Sequence, residues 1–216
     1  ERKQHAVNSA PRGLIMAKKV GSGTNSTGIN TIDCPDYTVG SALLPSNLFT
    51  GDPIRIDVGG TVVPVSVTAN KKIHGVFQGI SYKTADGEQK FSRYYTGGTS
   101  STDIKVLIAD DPNQTFFVQA DAKVTATADS AAGYNAANAG MTAGSGGSTK
   151  TGNSSYQLDN TKITLAQEQL RLIRRAPWDL VAQGSVSAGV TDAYPWYEVR
   201  INMHYDNFIT TTISVS

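Results

Sequence analysis

Short β-prone segments separated by turn residues fill positions 73–121, and they constrain the fold more than any other feature of the chain. Apolar and polar residues alternate within these segments, and sequences such as Asp-Gly and Asp-Asp-Pro-Asn separate them. Alternation places every second side chain of a strand in a core, while Gly, Pro and Asp favour the conformations that reverse the chain. The sequence therefore predicts an all-β fold, an antiparallel β-barrel or sandwich of about eight to ten short strands.

The same alternation continues on both sides of this stretch. Residues 54–67 alternate around a Gly-Gly pair, which predicts a hairpin. Pro64 lies in its second run, and because proline has no amide donor we expect that strand at a sheet edge. Gly75 and Gly79 interrupt the next run and predict a bend or a close backbone approach. Residues 196–206 show the longest alternation, which predicts an antiparallel strand with one apolar and one solvent-facing side.

The chain divides into segments of different composition. Residues 1–50 begin with scattered Lys and Arg and continue through Gly, Ser, Thr and Asn, which predicts an extended N-terminal arm without a core of its own. A β-rich domain is expected over residues 51–206, interrupted at 121–153 by a long, flexible loop rich in Gly, Ala and Ser. Residues 207–216 are β-prone and predict a C-terminal tail that pairs with an adjacent subunit.

Composition argues against several classes of function. The formal net charge is +1, so the sequence predicts no nucleic-acid partner, since such proteins carry a basic patch. Apolar runs are all shorter than the roughly eighteen residues that span a membrane, so no membrane partner is expected. Cys34 is the single cysteine, which excludes an intrachain disulfide. Charged residues make up only 17%, below the usual quarter or so, which suits a β protein held in an assembly.

Enzyme motifs are weak. Residues 144–151 approach a phosphate-binding loop, but Thr149 stands where that motif needs glycine, and the flanking sequence predicts neither the strand before it nor the helix after it. His5, His74 and His204 are isolated from one another, which gives no zinc-ligand spacing. We expect His204 on the polar face of its strand, exposed or hydrogen-bonded. The sequence therefore predicts no catalytic, cofactor or metal site, and no enzyme.

Several segments, in their order along the chain, resemble one class of viral protein. They are Gly-Val-Phe-Gln-Gly-Ile at 75–80, Asp-Pro-Asn at 111–113, Phe-Val-Gln-Ala-Asp at 117–121, Ser-Thr-Lys-Thr-Gly-Asn-Ser at 148–154 and Val-Arg-Ile-Asn-Met-His at 199–204. Together they resemble the head decoration, or cement, proteins of tailed bacteriophages, particularly of aquatic phages. The resemblance covers roughly residues 51–206.

This resemblance implies a structural role. It implies a β-rich subunit on the outer capsid surface of a virion, where it binds the major capsid protein, bridges capsomers and stabilises the shell. Such proteins commonly sit at three-fold or quasi-three-fold points, so a homotrimer is expected. Candidate interface residues are the arm's cations and apolar residues, the junction tryptophans and the tail apolars, namely Arg2, Arg12, Leu14, Trp178, Trp196, Phe208, Ile209 and Ile213.

Two alternatives stay open at this stage. Seven aromatic residues could form a sugar-stacking platform of a carbohydrate-binding β module, although core and interface packing is the commoner role of such residues. They are Tyr94, Tyr95, Tyr156, Trp178, Tyr194, Trp196 and Tyr197. A hydrolase on a β scaffold is the other alternative, but no motif supports it, and it would require a pair of carboxylates that converge in a cleft.

Overall fold

The chain is described by a computed structural model. It describes residues 12–17, 29–34, 46–57, 59–67, 71–97, 100–122, 137–143, 146–164, 167–176 and 194–205. Within these ranges the regular elements are all β-strands, and every pairing between them is antiparallel. The predicted all-β, antiparallel fold is confirmed.

Fourteen strands occur in the described residues, more than predicted because several pairings involve only two to four residues. In chain order they are β1 (Ile15–Met16), β2 (Asn30–Cys34), β3 (Leu48–Phe49), β4 (Pro53–Ile56), β5 (Val62–Pro64), β6 (Gly75–Thr84), β7 (Gln89–Ser92), β8 (Tyr94–Tyr95), β9 (Ser101–Ala109), β10 (Thr115–Gln119), β11 (Asn138–Ala143), β12 (Tyr156–Thr164), β13 (Leu170–Arg175) and β14 (Trp196–Ile201).

Two six-stranded sheets contain most of these strands. Sheet I has the order β1-β10-β14-β13-β11-β12. Sheet II has the order β2-β9-β6-β4-β5, with β7 added beside β6, and β3 pairs with β8 in a separate two-stranded sheet. The order within each sheet differs from the order along the chain, so strands distant in sequence become neighbours.

The predicted hairpin at residues 54–67 is confirmed. β4 pairs with β5, and the connection contains Gly59 and Gly60 with φ of 94° and 81°. Such positive φ values favour glycine because it lacks a Cβ. β5, which contains Pro64, lies at the end of sheet II, where a missing amide donor is tolerated.

Two apolar cores meet at sheet II. Val76 and Ala109 belong to one core with the inward residues of sheet I, such as Phe116 and Val199. Phe77 belongs to a second core on the opposite side, together with residues of β3, β4, β8 and β9. The central strand β6 is therefore buried on both faces, because neighbouring residues of a strand point in opposite directions.

Gly75 lies where two backbones approach closely, as the sequence predicts. A Cβ at this position would lie 2.6 Å from the carbonyl oxygen of Ala109. Two residues further on, the pairing of β6 with β9 shifts register between Phe77 and Gly79. Such a bulge changes the direction of a strand, which is the predicted bend.

The N-terminal segment differs from the prediction. β1 pairs with β10 of sheet I, and all five residues of β2 pair with β9 of sheet II. Leu14 is 1% exposed and belongs to the core between the sheets. Gly13 has φ of 67°, and a Cβ there would lie 2.5 Å from the carbonyl oxygen of Gly51, so two glycines let this segment pass close to the rest of the chain. As far as the described residues reach, the segment is part of the chain's own sheets, which corrects the prediction of an arm.

Leu14→Ala is expected to lower the free energy of unfolding by about 2–3 kcal/mol, since it leaves a cavity beside a segment that can partly collapse into it. Ile15→Ala is the matched control, because Ile15 is adjacent and 37% exposed; we expect a loss below about 1 kcal/mol. Chemical denaturation of both variants measures the difference. Equal losses would show that this segment does not insert its leucine into the core.

The predicted loop at 121–153 also needs correction. β11 lies in the middle of this segment and pairs with both β12 and β13 inside sheet I. Ala139 and Met141 are buried in the core between the sheets. Further along, Gly147 packs directly on the buried ring of Phe49, where a Cβ would overlap the ring. Small residues that resemble a flexible linker in sequence here allow close packing. Residues 123–136 and 144–145 lie outside the described residues.

The apolar side predicted for the C-terminal strand is confirmed, but its polar side differs from the prediction. Tyr197, Val199 and Ile201 are all buried in the core. On the other side Glu198 is also buried, so this face is not uniformly solvent-exposed. β14 ends at Ile201, five residues before the predicted end, and residues 206–216, with the predicted tail, lie outside the described residues.

Candidate interaction surfaces

The structure distributes the predicted interface residues over different environments. Arg12 is exposed, and Trp196 is half-buried on the outward face of sheet I, beside Gln119. Leu14 is buried in the chain's own core, so its prediction as an interface residue is wrong. Arg12 precedes β1 and Trp196 begins β14, and β10 lies between these two strands in sheet I. The remaining predictions, Arg2, Trp178, Phe208, Ile209 and Ile213, lie outside the described residues.

The outward face of sheet I carries most of its polar side chains. Because Tyr197, Val199 and Ile201 point into the core, the alternate residues of β14 point outward. Glu198 in this outward set is buried and accepts a hydrogen bond from Nε of Arg174 on β13. This ion pair neutralises a buried carboxylate.

Two arginines face each other further along the same face. Arg171 of β13 lies directly opposite Arg200 of β14, and Thr115 of β10 lies opposite Arg200 on its other side. A shallow groove of about 280 Å³ lies here, lined by Asn113, Thr115, Arg171, Leu172, Ile173 and Arg200. We call it the arginine groove. Its cations and neutral hydrogen-bonding groups suit an anionic ligand, and sequence reasoning missed it because the pairing register decides which arginines meet.

A hairpin of β6 and β7 forms the second candidate surface. Its turn contains Gly87 with φ of 85°, as the Asp-Gly sequence predicts, and residues 85–91 are all exposed. Phe91 on β7 is 80% exposed, the largest value among the exposed large apolar side chains of the described residues. We call this the β6–β7 hairpin. Sequence reasoning missed Phe91, since no local signal separates an exposed phenylalanine from a buried one on a short strand.

A buried carboxylate lies where several segments join. Asp52 is 3% exposed, and its Oδ2 accepts a hydrogen bond of 2.8 Å from the backbone amide of Phe49. Burial raises the pKa of Asp52 to about 6, although hydrogen bonds from Ser154 and Phe49 act in the opposite direction. Burial, together with the charge of Asp52, also raises the pKa of Tyr156 to about 12. Asp52 is therefore partly protonated near neutral pH, and its position within the core suggests a role in stability.

Two of the three histidines, His74 and His204, lie within the described residues, and His5 lies outside them. His204 is fully buried beside Ile73, with which it forms an isolated bridge, so the expected solvent-exposed position on the polar face is wrong. His74 contacts the ring of Tyr205 with 5.7 Å between ring centroids. Among the described residues, no group of three or more His, Cys, Asp or Glu side chains is arranged to hold a metal ion.

Four of the aromatic residues considered as a sugar platform lie in separate parts of the fold. Tyr95 and Tyr197 are buried in different cores. Tyr94 stacks on Phe49 with 6.1 Å between ring centroids, and the hydroxyl of Tyr156 donates a hydrogen bond of 2.6 Å to the carbonyl oxygen of Val65. These four rings contribute to the fold and do not form one exposed platform. Tyr194, in contrast, is 44% exposed, and Trp196 two residues later is half-buried. Trp178 lies outside the described residues.

Comparisons with protein-family models, with curated proteins and with solved structures gave no match. A search of the described residues for a helix long and apolar enough to cross a membrane found none. The function is therefore inferred from the segments that resemble decoration proteins and from the two surfaces described above.

Proposed function

We propose that this protein is a virion structural protein that decorates the outer surface of a phage capsid and stabilises it by bridging capsomers. Its partners are the major capsid protein and other copies of itself, in a homotrimer. The role requires binding and no catalytic turnover. The order of the sequence segments that resemble decoration proteins supports this proposal, and an antiparallel all-β subunit is compatible with it. Fold alone would not distinguish this role, because β architectures support many functions.

The exposed Phe91 is the structural observation that carries the proposal. A phenylalanine that is 80% exposed on a hydrogen-bonded hairpin offers apolar surface without the entropic cost of ordering a loose loop. Burying such a ring in a partner contributes about 1.5–3 kcal/mol. In a trimer three hairpins would contact the shell together, so modest single contacts would add up to strong retention.

Phe91→Ala is expected to weaken retention on the capsid by about tenfold or more per contact, since a loss of about 1.4 kcal/mol already corresponds to a factor of ten. The melting temperature should not change, because Phe91 is largely exposed. Cosedimentation with particles stripped of this protein measures retention. Ile56→Ala, which shortens an exposed apolar side chain on the β4–β5 hairpin, is the matched control and should bind like the unmodified protein.

Different results would contradict different parts of the proposal. Full retention of Phe91→Ala would show that the β6–β7 hairpin is not the contact. Failure of the unmodified protein to bind particles, together with binding on a glycan array, would favour the carbohydrate-binding alternative. A monodisperse species with the 22.9 kDa mass of one chain in light scattering would contradict the trimer.

A further inference from the structure

We infer that the arginine groove binds carboxylate side chains of an acidic surface segment of the partner protein. The inference rests on the proposed function, because it identifies the partner as the shell protein and specifies the chemistry of the contact. Three observations carry it: the register that brings two arginines together, the composition of the groove, and its size.

The register places like charges side by side. Arg171 and Arg200 are directly opposite on antiparallel strands, an arrangement that brings Cβ atoms to within about 4.5–5.5 Å and is unfavourable for equal charges. Arg200 takes part in none of the ion pairs between described residues. By contrast Arg174, on the same face, contacts Glu198. Both arginines line the groove, so an anion there can accept hydrogen bonds from them.

The groove is suited to a carboxylate. Guanidinium groups bind carboxylates through two parallel hydrogen bonds, and two arginines can therefore hold adjacent acidic side chains. Thr115 and Asn113 add a hydroxyl and an amide at one side, and Ile173 adds an apolar wall. β13 shifts register between Leu172 and Arg174, and such a bulge commonly redirects side chains toward a binding site.

Size and charge select the type of partner. A groove of about 280 Å³ holds one or two side chains, since sites for whole small ligands usually have about 300–1,000 Å³. The net charge of +1 is not the basic excess that nucleic-acid-binding proteins usually carry. The outward face of sheet I is accessible at Arg171 and Asn113, which are both exposed, so a surface segment of another protein can reach it.

The test compares two double variants with the same change in charge. Arg171→Gln/Arg200→Gln removes both cations of the groove, whereas Arg55→Gln/Lys105→Gln removes two cations of exposed ion pairs elsewhere. Binding to stripped particles is measured by cosedimentation over a series of NaCl concentrations. We expect the groove variant to bind about tenfold to a hundredfold more weakly at low salt and to lose most of the salt dependence, while the control variant binds like the unmodified protein. Equal binding and equal salt dependence of the two variants would overturn the inference.

A second measurement separates this inference from the proposed function. The unmodified protein is titrated with a soluble Asp- and Glu-rich peptide and, separately, with inorganic phosphate, and the backbone amides of β13 and β14 are followed by NMR. Peptide binding by the unmodified protein that is lost in the groove variant supports the inference. If the unmodified protein binds the peptide but no particle, the proposed function is contradicted while the binding chemistry of the groove is not. Binding of phosphate without binding of the peptide would overturn the acidic segment as the occupant. Unchanged melting temperatures establish that both variants are folded.

Discussion

Truncation of Phe77 to alanine should lower the free energy of unfolding by about 3–5 kcal/mol, the range for large aromatic side chains in a well-packed core. Phe77 is fully buried in the second core, between residues of β4 and β9. The cavity cannot collapse easily, because Val76, the preceding residue, is held in the other core on the opposite face of β6. Chemical denaturation measures the effect as a shift of the midpoint at constant slope.

Phe91→Ala provides the matched control for this prediction, since it makes the same substitution on the neighbouring strand. Phe91 is largely exposed, so we expect a change below about 0.5 kcal/mol in the free energy of unfolding. Losses of similar size in the two variants would contradict the two-sided burial of β6. The pair also separates stability from binding, because only the Phe91 variant should lose capsid retention.

Asp52 should make the protein less stable as the pH rises through about 6. Its pKa is raised from 3.8 to about 6 in the folded state, mainly by burial, so the fold favours the protonated form. The resulting stability is fully present below pH 3.8 and is lost as the pH rises through the folded-state value. A shift of this size corresponds to about 3 kcal/mol between the two limits. Asp52→Asn should remove this contribution to the pH dependence, since an amide stays neutral and its oxygen can still accept the hydrogen bond from Phe49.

The measurement is the difference in unfolding free energy between the unmodified protein and Asp52→Asn from pH 2 to 8. Asp159→Asn is the control with the opposite sign. Burial acts to raise the pKa of Asp159, but hydrogen bonds from Thr161 and Lys162 outweigh burial and lower it. The stability that Asp159 contributes is therefore lost as the pH falls, and its variant should flatten the acid side of the profile. A pH-independent difference for Asp52→Asn would show that the Asp52 carboxyl is not protonated in the fold.

Turns and strand faces were predictable because both are local properties. The Gly-Gly connection of the β4–β5 hairpin and the Asp-Gly turn after β6 are encoded by residues that tolerate positive φ. The apolar face of β14 follows from alternation alone, since a strand repeats every two residues. Pro64 at a sheet edge follows from its missing amide hydrogen. Each of these features depends on residues that are adjacent in sequence.

Burial of weakly patterned segments was not predictable in the same way. β11 and the segment around Leu14 have little alternation, yet both contribute to the core between the sheets. Small residues in these segments allow parts of the chain that are distant in sequence to pack closely against them, as Gly51 packs against Gly13. The sequence alone therefore favoured a loop and an arm, because composition describes a segment without its neighbours.

The sequence by itself determined the all-β class, the main turns and the buried side of the longest strands. The tertiary structure decided which residues of equal type are buried or exposed, as with Phe77 and Phe91, and which charges meet, as with Arg171 and Arg200. Alternation assigns a side chain to one of two faces of its strand. Whether that face is covered, and what lies opposite it, depends on register and on the stacking of sheets, which join residues far apart in the chain.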